Sequence, residues 1–306
     1  MKSSLSDNIS LIIPAKNEAA GLESFLPTLV KTYPNFEVIV VNDGSTDDTA
    51  SVAKRYGAQV ITQPYSLGNG AAIKAGARRA TKDFLLLMDA DGQHRVTDIE
   101  KLIHKFEQGY DMVVGCRDRQ SQASLFRSIG NRFYNFAASK ITGQSVLDLT
   151  SGFRLVKKDK FIDYLYLLPN GFSYPTTITM AFFRSGLTVG YEPIIANPRI
   201  GKSHLHLWKD GIRFLIILYK MTILYSPLKV FLPFAALHFL AGMFNYAYTY
   251  FTQGRFTNMS ALLLSASIFI FLMGLISEQI TVLMYQHNAS KPSLPPPSAA
   301  SDHSYE

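Results

Sequence analysis

The chain has 306 residues, with 30 Lys+Arg against 23 Asp+Glu, 47% hydrophobic residues and a slightly positive mean hydropathy. These values exclude a disordered or collagen-like chain and leave room for a sizeable core, while a single cysteine, Cys116, excludes an internal disulfide framework and suits a reducing compartment. The net +7 is unevenly placed, with residues 1–115 at −2 and residues 116–220 at +9, which speaks for a local phosphate-binding surface and against a diffuse nucleic-acid coat.

Residues 1–8 are polar and lack the basic and apolar regions of a secretory signal, so the amino end is expected in the cytosol. Ile9–Pro14, Glu37–Asp43, Ala58–Gln63, Asp83–Asp91 and Asp111–Arg117 read as strands, at the spacing of βα units. Runs such as VIVV and FLLLM are apolar without alternation, as expected when helices cover both faces of a parallel sheet. Between the first two strands Leu22, Phe25, Leu26, Leu29 and Val30 have helical spacing, but Pro27 is expected to kink or split that helix. The next helix has Ser45 or Thr46 as its expected cap, Asp47 and Asp48 at the positive end of its dipole, and Gly57 at its exit.

Beyond residue 200 the character changes. Leu207–Ser226 is apolar, yet Lys209, Arg213 and Lys220 superimpose within about 40° on one helical face, the pattern of a helix lying on a membrane surface. Val230–Phe251 and Met259–Tyr285 each meet the roughly 20 residues needed to span a bilayer, and only Thr252–Asn258 separates them, which predicts a tight hairpin. That loop carries Arg255 alone, whereas Lys202, Lys209, Arg213, Lys220 and Lys229 crowd the approach to the first span; this places the amino-terminal portion and both termini in the cytoplasm. Glu278 lies near the interfacial end of the second span or pairs in an oligomer, and His238 and Asn245 are candidates to join helices by hydrogen bonds. The tail from Gln286, with Pro295, Pro296 and Pro297, is expected to be disordered.

Three polar strand ends carry chemistry. Asp89-Ala90-Asp91-Gly92-Gln93-His94 ends a buried strand, where two carboxylates one residue apart repel unless a cation neutralises them; oxygen ligands suit Mg²⁺ or Mn²⁺ bridging a diphosphate. The alternative is a capping pair in a turn. Val41-Asn42-Asp43-Gly44-Ser45-Thr46-Asp47-Asp48-Thr49 is a second strand end, with Asp43 placed for a nucleoside, and Pro14-Ala15-Lys16-Asn17-Glu18 is a third. Gly68-Asn69-Gly70 does not complete a dinucleotide motif, because Ile73 stands where its third glycine would be.

The ordered runs IIPAKNEAAGL, VVNDGSTDDT, LGNGAAIKAGA and MDADGQH resemble glycosyltransferase family 2, whose fold is GT-A. DLTSGFR (148–154), FSYPTTITMAFFRSG (172–186), PRIGKSH (198–204) and the two carboxyl-terminal spans are similar to the polyprenyl-phosphate glycosyltransferases of that family. The resemblance implies an α/β fold: a Rossmann-like GT-A domain over 1–204, interfacial amphipathic helices over 205–228, a two-helix transmembrane hairpin over 229–285 and a tail over 286–306. It implies that Pro14, Ala15, Glu18 and Asp43 hold the nucleoside, with Lys74 near the diphosphate and Asp89 shared between donor and metal. Asp89, Asp91 and Gln93 would hold Mg²⁺ or Mn²⁺, with His94 a structural neighbour. Arg117, Arg132, Arg199 and Lys202 would bind the acceptor phosphate, for which guanidinium groups are suited, while Arg127 and Lys140 fit a basic face drawn to anionic lipid. Asp148 would lie near the anomeric carbon as a base or an orienting group, and Tyr174-Pro175-Thr176-Thr177, with Ser173, would face the sugar.

The implied reaction is a metal-dependent inverting transfer from a nucleotide-sugar, a UDP-sugar before GDP-mannose, to a polyprenyl phosphate in the inner membrane, supplying envelope glycan synthesis. The implied partners are donor, lipid acceptor, bilayer and a second copy through the spans, with no nucleic acid. The rivals are a polysaccharide or glycolipid synthase, against which stands the lack of a Q-x-x-R-W segment around the single Trp208, and a non-catalytic anchored binding protein, which has no need of an intact DADGQ.

Overall fold

The computed structural model describes residues 5–117, 125–171, 174–195 and 226–289, with positions 216, 219, 222, 223 and 225 between them. Seven strands form one sheet: β1 (Ile9–Ala15), β2 (Glu37–Asn42), β3 (Gln59–Thr62), β4 (Phe84–Leu87), β5 (Met112–Arg117), β6 (Arg154–Lys157) and β7 (Val189–Ile194). Their order is β3-β2-β1-β4-β6-β5-β7, parallel throughout except for β6, which runs antiparallel to both neighbours. The five strands expected from the sequence are present, and β6 and β7 are additions that make the sheet mixed. β6 is only four residues long and opens on an arginine; β7 is an edge strand that contains Gly190 and Pro193, where a missing N–H is tolerated.

The unalternating runs are explained by three layers. Leu11 and Ile13 of β1 point into one core with α1 (Ala19–Thr32), α2 (Thr49–Arg55) and α4 (Asp98–Phe106). Ile12 points into the other, with α3 (Asn69–Arg79), α6 (Lys158–Asp163) and α7 (Tyr174–Arg184). α5 (Leu125–Thr142) adds Tyr134 and Ala138 to a satellite core with Met180 of α7. Pro27 does not split α1, which is unbroken from residue 19 to 32. The carbonyl deprived of its partner is that of Glu23, an exposed residue where water can serve instead. Because β2 and β4 flank β1 on opposite sides, the chain direction across the sheet reverses between β1 and β4, and the crevice at their carboxyl ends is the place for a ligand.

Two long helices complete the chain, α8 (Leu228–Gln253) and α9 (Asn258–Ala289), joined by a short turn with Gly254 in the left-handed region. α9 continues through Gln286 to Ala289, four residues into the expected tail. Small residues let the pair approach: a Cβ on Gly274 would fall 2.7 Å from Phe231 Cβ, and Ser267 Oγ donates to Ala235 O at 2.9 Å. Asn245 Oδ1 accepts from Ser260 Oγ (2.8 Å) and Thr257 Oγ1 (3.2 Å), joining the helices as expected, whereas His238 bonds the Phe234 carbonyl one turn back in its own helix. Phe244, Phe251, Leu240 and Phe269 stand exposed around the outside, so the two apolar helices fit a membrane hairpin.

The hairpin is fastened to the sheet domain. Glu278 pairs with Arg184 at the end of α7 (3.5 Å) and accepts from Leu228 N–H (3.2 Å) and Ser226 Oγ (3.4 Å). Lys229 Nζ donates to Ile141 O at 2.6 Å, and Tyr166 donates from its hydroxyl to Met284 O at 3.2 Å. Glu278 is therefore an anchor within one chain. Lys209, Arg213 and Lys220 of the expected interfacial helix lie outside the described residues.

Candidate active site

The loops after β1 and β2 are stitched into one rim. Asn17 N–H donates to Ser45 Oγ (2.9 Å), Thr46 N–H to Asn17 Oδ1 (2.8 Å), Glu18 N–H to Thr49 Oγ1 (3.0 Å) and Ala19 N–H to Asp47 Oδ2 (3.2 Å). Ser45 and Thr46 are thus taken up by the neighbouring loop and do not cap α2; Asp47 receives the Thr49 N–H (3.1 Å) in their place. Gly57 ends the helix as expected, with φ +79. Pro14 and Ala15 are buried at the end of β1 and Glu18 is half-buried on the rim.

Asp43 is buried, and its carboxylate accepts Leu67 N–H (2.7 Å), Ser66 Oγ (2.8 Å) and Gly68 N–H (3.0 Å), fixing the turn into α3. That leaves about one acceptor position of the carboxylate for anything else. The glycines beyond it serve backbone contact: a Cβ on Gly70 would fall 2.0 Å from Pro169 O, and one on Gly68 2.6 Å from Asn170 O. Lys74 Nζ donates to Leu168 O (3.0 Å) and to Asn170 Oδ1, so it ties down the same 168–171 loop; burial and Arg78 lower its pKa. In this structure both bonds of Lys74 Nζ thus go to the 168–171 loop.

Past β4, Met88 N–H donates to Ile12 O (3.1 Å) and carries the Asp89–Asp91 turn to the reversal point. α1 presses against this turn, since a Cβ on Gly21 would lie 2.1 Å from Ala90 O. Asp91 Oδ1 accepts Gln93 N–H (3.2 Å). His94 is buried, stacks on Phe153 with ring centres 4.8 Å apart, and holds Nε2 3.9 Å from Asp89 Oδ2. Burial raises the Asp89 carboxyl, but the bond and charge of His94, the charge of Arg117 and a bond from Asn69 hold it below the ordinary range. Gly152 lies against Asp89, where a Cβ would fall 2.5 Å from Oδ2.

Among the described residues no three His, Cys, Asp or Glu side chains converge as a metal cage. The donors present are two carboxylates and the Gln93 amide, all hard oxygens in a partly open turn. Such a set fits a hard cation such as Mg²⁺ or Mn²⁺, which takes oxygen ligands.

Asp148 and Arg117 lie across from this turn. Arg117 donates from Nε to Asp148 Oδ2 (2.9 Å) and from Nη2 to Asp148 Oδ1 (3.1 Å) and Thr150 Oγ1 (2.6 Å). Asp148 Oδ1 also accepts the N–H groups of Thr150 and Ser151, each at 3.0 Å. Burial pushes the Asp148 carboxyl up, but Arg117 and Thr150 outweigh it and the pKa is lowered. Burial works against the charge of Arg117, yet Asp148, Asp89 and Asp91 together raise its pKa. Asp148 is therefore an ionised, fully engaged carboxylate, which favours orientation over proton removal. Arg132 is exposed on α5, and Arg199 and Lys202 lie outside the described residues. Tyr174, Thr176 and Thr177 are buried at the start of α7, where Tyr134 donates to Thr176 Oγ1 (3.1 Å), and Ser173 lies outside the described residues. Asn69, Thr150 and Arg154 are further members of the site. Asn69 stands inside a Gly pair whose dinucleotide reading fails, and the other two belong to DLTSGFR.

The sequence pattern of glycosyl transferase family 2 matches residues 10–165, and that of the GtrB C-terminal hairpin matches residues 226–283. The chain belongs to glycosyltransferase family 2. The glycosyltransferase AglJ of Haloferax volcanii is 29% identical over 238 residues, 74% of this chain and 75% of that one. An uncharacterized glycosyltransferase of Mycobacterium bovis is 38% identical over 112 residues, 36% of this chain and 49% of that protein, so the match spans about half of that relative. The fold is similar to that of glucosyl-3-phosphoglycerate synthase from Mycobacterium tuberculosis, solved with Mn²⁺, UDP-glucose and phosphoglyceric acid: TM-score 0.58, 20% identity, 70% of this chain and 79% of that one. The family 2 sheet is thus of GT-A type, and the chain is a glycosyltransferase.

Proposed function

We propose that this glycosyltransferase moves a sugar from a nucleotide-sugar, a UDP-sugar before GDP-mannose, to the phosphate of a membrane polyprenyl phosphate, with inversion at the anomeric carbon. The observation that carries the reading is the union of a family 2 site with a GtrB-type hairpin fastened to it through Glu278 and Arg184. A lipid acceptor leaves the bilayer only at about 0.8 kcal/mol per buried CH₂, so a site held at the membrane meets it where it lies.

The rim of Pro14, Ala15 and Glu18, with the last acceptor position of Asp43, receives the nucleoside. Lys74 shapes that rim through the 168–171 loop. Asp89, Asp91 and Gln93 would hold Mg²⁺ or Mn²⁺, which would supply Lewis-acid stabilisation of the departing diphosphate. The acceptor phosphate oxygen forms a bond to the anomeric carbon as the bond from that carbon to the diphosphate breaks, and the nucleoside diphosphate leaves with the electron pair. A phosphate monoester has a second pKa of about 6 and is largely ionised at pH 7, so no strong base is needed. Asp148 orients Arg117, and Arg117 with Arg132, Arg199 and Lys202 attracts and places the incoming phosphate. Lys229 at the start of the first span, against Arg255 alone in the hairpin turn, supports a cytoplasmic catalytic domain at the inner membrane. Paired hairpins are the proposed route to an oligomer.

The test is detergent-purified protein with polyprenyl phosphate, Mg²⁺ or Mn²⁺ and a mixture of nucleotide-sugars, with the lipid product weighed by mass spectrometry. A polyprenyl-phosphate-sugar is expected; consumption of no donor sinks the reading. Asp89→Ala should abolish turnover while leaving folding and membrane insertion intact.

A further inference from the structure

Arg154 is the largest fully buried side chain in the described structure, placed by β6 in the middle of the sheet. Its guanidinium donates from Nε to Ser151 O (2.7 Å), from Nη2 to Leu149 O (3.2 Å) and from Nη1 to Thr179 Oγ1 (2.6 Å) of α7, with Met112 Sδ at 3.8 Å. All of these acceptors are neutral, and among the described residues no carboxylate lies within ion-pair distance of it. The nearby phenols of Tyr174 and Tyr191 supply no counter-charge, because burial raises both and keeps them un-ionised. Burial also lowers the pKa of the guanidinium, but an arginine side chain in a protein stays protonated.

A buried charge without an adjacent partner is costly, several kcal/mol for an ion after relaxation. A leucine or methionine would fill the place at less cost, so the charge has a use. Both bonded carbonyls, Leu149 O and Ser151 O, belong to the turn that follows Asp148. The amides of Thr150 and Ser151 in that turn clasp Asp148, and Gly152, the next residue, lies against Asp89. The carboxylates whose charge reaches Arg154 are Asp148 and Asp89.

We propose that Arg154 is a positioning residue for sugar transfer: it staples the 149–152 turn to α7, so that Asp148 and Gly152 hold Arg117 and Asp89 in place, and sets a fixed positive charge behind a site that fills with phosphate. A charge fixed by the fold needs no reorganisation when the anions arrive. The assignment rests on the proposed reaction for its kinetic readout and on the turn itself for a second readout that needs no substrate.

Arg154→Met removes charge and fork while filling the volume; Arg154→Lys keeps the charge and loses the fork; Thr179→Val removes one acceptor and keeps the arginine. In Arg154→Met, kcat per folded molecule should fall on the order of 10²-fold, while KM for the donor moves less than about threefold, because the guanidinium does not touch it. Arg154→Lys should recover about tenfold of that loss, and Thr179→Val should lose about three- to tenfold. Hydrogen exchange at the Thr150 and Ser151 amides should rise about tenfold in Arg154→Met and less in the other two, with the β1 amides unchanged.

Folded Arg154→Met with wild-type kcat overturns the proposal, and equal kcat in Arg154→Met and Arg154→Lys overturns the role of the charge. If Arg154→Met does not fold, Arg154→Lys and Thr179→Val decide, and wild-type kcat and exchange in both overturn the stapling. If the wild-type protein transfers no sugar, the proposed function fails. The stapling then stands or falls on exchange at residues 149–152 alone.

Discussion

Gly152→Ala isolates the geometry of the Asp89–Asp91 turn, the proposed metal site. The added methyl would sit 2.5 Å from Asp89 Oδ2 and 3.1 Å from Oδ1. A carbon and an oxygen in ordinary contact are about 3.3 Å apart, so the carboxylate must retreat by about 0.8 Å. Such a shift changes its placement relative to His94 and Asn69, whose bonds lower its pKa. The backbone of Gly152 is not in the left-handed region, so alanine is tolerated there and the change in stability should stay within about 1 kcal/mol. A misplacement of about 1 Å in a catalytic constellation costs on the order of 10²-fold in rate. The expectation is a folded, membrane-inserted protein with kcat lower by that factor and a higher Mn²⁺ requirement, read by sugar transfer in detergent across a metal titration and by thermal melting. Gly143→Ala is the control: Gly143 has φ +73 and nothing within 4 Å, so its alanine should cost about 1–2 kcal/mol of stability and leave kcat per folded molecule unchanged. Wild-type kcat and wild-type metal dependence in Gly152→Ala would refute the packing argument.

Three further outcomes follow from the same contacts. Asp148 has a lowered pKa, so it is already ionised above about pH 4 and contributes no acidic limb near neutrality; its ion-pair stabilisation is present above the ordinary carboxylate pKa and is lost as pH falls through the lowered one. Asp148→Asn should therefore lower kcat but keep the shape of the pH profile, whose limb near pH 6 belongs to the acceptor phosphate, and loss of that limb in the variant would make Asp148 the base. Glu278→Ala leaves Arg184 without its carboxylate and should lower the melting midpoint in detergent by about 2–4 °C per kcal/mol lost, and it should slow transfer to a bilayer-embedded acceptor more than to a short soluble one. Chelation with EDTA should stop transfer with the fold intact by circular dichroism, and added Mn²⁺ or Mg²⁺ should restore it; activity that persists in EDTA would remove Asp89 and Asp91 from the metal role.

The parts of the fold written locally were legible. A parallel strand buried on both faces must be a continuous apolar run, and β1, β2 and β4 are; a spanning helix must be long and apolar, and α8 and α9 are. β6 was not, because four residues headed by an arginine become a central strand only when β4 and β5 close on either side. The site shows the same division. Asp89 and Asp91 are evident from their spacing at a strand end, but the partner of Asp148 is thirty-one residues away and that of Arg154 twenty-five, and no periodicity encodes either pairing. Asp43 and Lys74 stand at the expected positions with an unexpected task, because the turns they hold come from other segments, 66–68 and 168–170.

α7 receives Arg154 at Thr179 and, five residues on, meets Glu278 through Arg184. At about 1.5 Å per residue, these two contacts are about 7.5 Å apart along a helix that does not stretch. The position of the site relative to α9 is therefore fixed by the fold, and on the proposed membrane placement of α8 and α9 this makes the protein a depth gauge. On the proposed reaction, an acceptor is chosen by the level at which its phosphate floats, and prenyl length beyond what a leaflet holds is invisible to the site. Hydrocarbon thickness is not invisible, because it moves the headgroup layer against this fixed mark, so the same enzyme should turn over at different rates in thin and thick bilayers of identical headgroup composition.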